Sequence, residues 1–107
     1  MNINKLIKDT ITPLSVPVSF QVYSGTASTY ITYFSYNEQG EEYAENQEIA
    51  TGFYVQVDIW SKSDYLTLAD QVKSVMTAAG FKRTSAQDLY ESDTKIFHKA
   101  MRFSYVD

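Results

Sequence analysis

Ile3, Leu6, Ile7 and Ile11 recur at the three- and four-residue spacing of a single helical face, so residues 2–11 are predicted to form a short amphipathic helix, ended by Pro13. Val16, Val18, Phe20 and Val22 then alternate with Pro17, Ser19, Gln21 and Tyr23, the period-two pattern of a strand with one buried face. Pro17 puts its start, or the whole strand, at a sheet edge, where a missing N–H costs little. Residues 25–28 carry turn chemistry. Residues 29–36 read as a second strand, with Tyr30, Thr32, Phe34 and Tyr36 opposing Ile31 and Tyr33, so both faces carry aromatic rings. Residues 37–47 are polar and acidic and include Gly40, which predicts a loop or the tip of a long hairpin. The clearest alternation lies in residues 49–60. Ile49, Thr51, Phe53, Val55, Val57 and Ile59 can all face a core, leaving Tyr54, Gln56, Asp58 and Trp60 on the other side.

The period then changes to that of a helix. Ser61 and Ser63 are candidate N-caps, with Asp64 three residues after Ser61. Leu68, Ala69, Val72, Val75, Met76 and Ala79 make one apolar face, and Gly80 stands where a left-handed C-terminal residue is wanted. A helix over residues 63–79 is expected. Residues 81–84 suggest a short strand, Glu91, Ser92 and Asp93 a turn, and residues 95–106 a final strand with Phe97, Met101, Phe103 and Tyr105 on one face. The order helix, three strands, helix, one or two strands predicts an α+β two-layer sandwich: a mainly antiparallel curved sheet of four to five strands with two helices on one face. With no repeat, linker or low-complexity segment, residues 1–107 are expected to be a single domain.

Composition narrows the chemistry. Without cysteine there is no disulfide framework, thiolate metal site or cysteine nucleophile. No stretch approaches the ~20 apolar residues of a membrane span, and the first residues lack a signal peptide's layout, so a soluble intracellular protein without membrane contact is expected. A formal net charge of -4 argues against specific nucleic-acid binding, which needs a basic surface. The charge is unevenly spread: residues 1–60 carry two basic and seven acidic side chains, residues 61–107 seven and six. Five of the acids, Glu38, Glu41, Glu42, Glu45 and Glu48, fall within the segment 38–48. Aromatic residues are 15% of the chain, with nine tyrosines that suit both a small sheet and a partner-facing surface.

Candidate catalytic groups are sparse. His98 is the only histidine, no serine sits in a G-x-S-x-G elbow, and the glycine spacings of phosphate-binding loops are absent. The acidic segment lacks the alternating ligands and central glycine of a calcium loop. The expectation is no catalytic residue, no cofactor and no metal, with His98 structural or part of an interface. The glutamates then read as a solvated hairpin tip, or as a surface that repels phosphate.

The run Tyr54-Val55-Gln56-Val57-Asp58-Ile59-Trp60-Ser61, followed by Leu68-Ala69-Asp70-Gln71-Val72, resembles the strand-then-helix centre of tail-completion and tail-terminator proteins of long-tailed bacteriophages and prophages. Gly80-Phe81-Lys82-Arg83, the stretch Tyr90 to Lys99 with its Phe97-His98 pair, and Arg102-Phe103 resemble the closing part of the same family. The similarity covers about residues 16–106, and the acidic segment 37–48 departs from any one branch. The resemblance implies a curved antiparallel sheet with helices on one face. It also implies a structural, non-enzymatic role in the virion tail or neck: a homo-oligomeric ring, commonly a hexamer, that caps the tail tube and joins it to the head after assembly in the bacterial host cytoplasm. Partners would be other copies of the chain, the tail tube protein and head-tail connector proteins. Glu38, Glu41, Glu42, Glu45 and Glu48 are expected at an interface or the ring lumen, and Tyr54, Trp60, His98 and Arg102 at an interface. The alternative is a small cytoplasmic α+β ligand-binding or regulatory domain with aromatic strands as pocket walls.

Overall fold

The structure, a computed structural model, describes residues 1–107. Helix α1 (Ile3–Ile11) starts at Asn2, whose side chain accepts from Lys5 N at 3.0 Å, and a single 3-10 turn (Thr12–Leu14) carries Pro13 out of it. Strands β1 (Val18–Phe20), β2 (Thr29–Ala44) and β3 (Gln47–Ser61) follow, then α2 (Leu66–Ala78), β4 (Lys82–Glu91) and β5 (Ile96–Val106). They form one five-stranded sheet of order β1-β2-β3-β5-β4. Only the β1–β2 pairing is parallel; the others are antiparallel.

Both helices lie on the same face of this sheet. Ile3, Ile7 and Ile11 of α1 and Ala69, Val72 and Met76 of α2 join Ile31, Tyr33, Phe53, Val55, Val57, Ile59, Phe81, Met101 and Phe103 in one buried cluster. Full burial of an aliphatic or aromatic side chain stabilises by about 1.5–3 kcal/mol, so this cluster holds the two layers together. The expected two-layer α+β sandwich is the observed one, with five strands and both helices on one face.

Several elements differ from the sequence reading. The segment read as a loop or hairpin tip is continuous strand: β2 and β3 pair as far as Ala44↔Gln47, and the turn itself is only Glu45 and Asn46, at φ 53° and 66°. Two successive left-handed residues are the requirement of a tight type I′ hairpin. Ile49, expected in the core, is 59% exposed because it lies on this extension, beyond the helices. The strand expected over residues 16–23 shrinks to three residues, since Gln21 takes a left-handed φ of 61° and turns the chain away. The short strand expected at 81–84 runs instead from Lys82 to Glu91, exposed at every residue. Ser61 does not cap α2: it is fully buried, bonded to Thr29 Oγ1 at 2.9 Å and accepting from Ser63 N at 3.1 Å. The helix starts at Leu66, whose N–H donates to Asp64 Oδ1 at 2.9 Å. Phe97 is 41% exposed rather than core, packed with Tyr65 and Tyr90 at the end of the sheet.

Candidate interface on the helix-free face

With the odd positions of β3 committed to the helices, its even positions Tyr54, Gln56, Asp58 and Trp60 share the opposite face, as period two dictates. Register places Trp60 opposite Tyr30 of β2 and His98 of β5, and Gln56 opposite Phe34 and Arg102. No helix covers this face. Tyr54, Trp60, His98 and Arg102, singled out from the sequence, therefore lie together on it.

Four rings form a row across the strands. Tyr23 stacks on Tyr30 with centroids 4.3 Å apart, Tyr30 lies 6.2 Å from Trp60 at 16° between planes, and Trp60 stacks on His98 at 3.7 Å and 12°. Trp60 Nε1–H donates to Thr32 Oγ1 at 3.0 Å, which fixes the indole's orientation. Burial, then the negative charge of Glu91, pushes the Tyr30 hydroxyl above its ordinary value.

Beneath the row sits a carboxylate with little access to water. Asp58 is 4% exposed; its Oδ1 lies 2.6 Å from His98 Nε2 and accepts from Gln56 Nε2 at 2.8 Å. A carboxylate accepts, so the imidazole is the donor, and two donors replace the water lost on burial. Gln56 Oε1 in turn accepts from Arg102 Nε at 3.0 Å, and the Arg102 guanidinium lies 4.4 Å over the Tyr36 ring, an amide-held cation–π contact. Tyr36 neighbours Tyr54 at 6.4 Å, and Tyr54 donates its hydroxyl to Glu41, a bond that pushes the phenol pKa up. Residues from the hairpin to the far end of the face thus form one connected network.

The five glutamates occupy the distal part of the β2–β3 hairpin and are all exposed. Among them only Glu41 bonds to another side chain of the chain, to Tyr54 and Gln39. The molecule measures 52 × 26 × 23 Å, elongated as this projecting arm requires.

Asp58 and His98 are two members of a Ser-His-Asp arrangement, yet no serine or threonine hydroxyl bonds to His98, and Trp60 covers one face of its ring. No three His, Cys, Asp or Glu side chains converge. The hollows are surface depressions: one of about 580 Å³ runs along the outer side of α2 at Asp70, Lys73 and Thr77, another of about 320 Å³ lies between Arg102, His98 and Gln87. The arrangement offers planar stacking surfaces and fixed polar groups, which is the chemistry of a contact face. Sequence reasoning paired neither Asp58 with His98 nor Gln56 with Arg102. The signal available was the shared even face of β3; the missing piece was the register of β5.

Comparisons with known proteins bear on what such a face serves. No curated protein matches the chain significantly. A chain from a solved structure described as the virion of a native gene transfer agent (GTA) particle superposes with a TM-score of 0.53 at 10% identity, over 92% of this chain and 81% of that one, and so shares its fold. A model of the family described as tail completion protein gp17 matches residues 11–106, which hold the whole sheet and α2. The chain therefore belongs to the tail-completion protein gp17 family, structural proteins of bacteriophage tails.

Proposed function

We propose that this chain is the subunit of a homo-oligomeric ring, a hexamer by the family resemblance, that caps the tail tube and joins the finished tail to the head. The observation that carries this reading is the sheet's division of labour: one face is buried under helices, while the other holds Tyr54, Trp60, His98 and Arg102 in a fixed, uncovered network. Surfaces rich in Tyr, Trp and Arg with ordered hydrogen bonds suit protein contact. The gene transfer agent chain of the same fold comes from an assembled virion, which supports a place in the tail or neck. The partners are other copies of this chain, the tail tube protein and head-tail connector proteins, met in the host cytoplasm during assembly. The subunit acts by shape and contact, with no reaction catalysed.

The acidic arm has its own role in this reading. A channel that passes DNA must not bind it, and each phosphate neutralised by a wall cation strengthens binding through counterion release. Glu38, Glu41, Glu42, Glu45 and Glu48, repeated around a ring with their arm directed to the lumen or the adjoining tube, keep that wall negative. Replacing all five by Gln leaves the fold intact, raises affinity for duplex DNA at low salt and lowers the yield of infectious particles. A variant that neither binds DNA more tightly nor loses infectivity sinks the lumen assignment.

A further inference from the structure

Both edges of the sheet are open, and they match. Strand β4 is one edge: ten residues, Lys82–Glu91, all exposed, bonded to β5 on one side only. At the other edge β1 covers just Ile31, Thr32 and Tyr33 of β2, so the outer side of β2 from Phe34 to Ala44 has no neighbouring strand. The end of that stretch, from Glu41 to Ala44, lies where β2 and β3 form a two-stranded ribbon beyond the end of β5, whose last backbone pairing is Asp107 with Thr51. An isolated two-stranded ribbon is marginal in water, and an open edge is a template for another strand.

We propose that β4 of one copy pairs with the outer edge of β2 in a second copy, extending the sheet from subunit to subunit. The proposal rests on the ring reading above and specifies its contact. Direction and charge each support it, independently of one another. Within the chain β4 runs antiparallel to β2, because three successive antiparallel pairings separate them. Cyclic symmetry keeps strand directions the same in every subunit, so β4 meets a neighbour's β2 antiparallel, as the rest of the sheet requires. In that direction Lys82 and Arg83, at the start of β4, fall beside Glu41 and Glu42 in the distal half of β2. Asp88 and Glu91 fall beside the stretch 34–37, which has no acid. The reverse direction would set Asp88 and Glu91 against the glutamates. Arg83 stands level with Ser35 through Phe103 and Val55, so for Arg83 to lie opposite Glu42 the neighbour must be shifted along the strands by about seven residues, roughly 23 Å at the usual strand rise. Closed sheets require such a stagger.

The test is charge exchange between edges. K82E/R83E leaves both edges acidic, and E38K/E41K/E42K leaves both basic; all five positions are exposed, so far-UV circular dichroism should match the parent. Sedimentation should show the parent as an oligomer. Each variant alone should need at least a tenfold higher concentration to assemble, and an equimolar mixture should assemble as the parent does, because acidic and basic edges then alternate. The absence of native cysteine allows a second test: E42C/R83C should give a ladder of disulfide-linked chains on oxidation. A parent that stays monomeric at all concentrations overturns the ring and the contact together. A parent oligomer untouched by either exchange, with no ladder from the cysteine pair, overturns the edge contact and leaves the ring standing.

Discussion

The coupling between His98 and Asp58 lends itself to a quantitative prediction. His98→Ala removes one of two donors to a carboxylate that is 4% exposed, and removes the ring stacked 3.7 Å from Trp60. An under-satisfied buried acceptor costs about 1–3 kcal/mol, and a lost stack about 0.5–1.5. Gln56 still donates at 2.8 Å, which holds the first contribution toward its lower end, so about 1.5–2.5 kcal/mol is expected in total. Asp58→Ala should cost about 1–3 kcal/mol, since it strands the His98 and Gln56 donors. The double variant should cost less than the two together by about 1–2 kcal/mol, because the second change removes a group the first has already left without its partner. A domain of this size is stable by about 5–15 kcal/mol, so all three variants remain folded and measurable. Trp60 is the only tryptophan and stacks on the ring in question, so urea unfolding followed by its fluorescence, with circular dichroism in parallel, reads both the cycle and the local contact. Additivity within about 0.5 kcal/mol would refute the coupling and with it the view that this face is held rigid by its polar network.

Other outcomes follow from the same geometry. Val72 is fully buried between α2 and the sheet, so Val72→Asp should cost several kcal/mol by burying an unpaired carboxylate; a melting temperature within about 2 °C of the parent would mean that this helix face is not core. Burial and its bond to Asp88 push the Tyr65 hydroxyl up to about 12, from 10.0, so the stability it contributes is full below about pH 10 and is lost as pH rises to about 12. The stability difference between parent and Tyr65→Phe should therefore be constant at neutral pH and shrink across that alkaline window. Its partner Asp88 is held below 3.8 by the Tyr65 and Lys99 bonds, so that contribution is present above 3.8 and fades as pH falls through the depressed value. Gly80 has φ 102°, and a Cβ at this position would meet Tyr105 Cε2 at 3.2 Å, so Gly80→Ala should destabilise by about 1–3 kcal/mol in thermal melts, and Gly80→Asn should not restore the parent value.

Legibility in the sequence followed burial. Helix α1 could be read because Ile3, Ile7 and Ile11 all enter the core, and β3 because its odd residues from Phe53 to Ile59 do. The distal half of β2 and the part of β4 beyond Thr84 could not, since neither has a buried face and so neither shows an apolar period; their strand character comes from pairing alone. The start of α2 was misread because Ser61, a fair cap by residue type, is engaged by Thr29 across the sheet, a contact 32 residues away in sequence. The same limit applied to the candidate face. Tyr54 and Trp60 shared a side of β3 on sequence alone, but the pairing of Asp58 with His98 depends on the register of two strands 40 residues apart.

The central claim is that this subunit completes a tail by capping its tube. Its most direct measurement is addition of the purified protein to tail tube protein polymerising in solution, followed by electron microscopy of tube lengths and ends. The account predicts that tubes stop growing and carry a ring of this chain at one end only, with the K82E/R83E variant failing to cap at the same concentration. Tubes that elongate as they do without it, with the protein left free in solution, would contradict the claim.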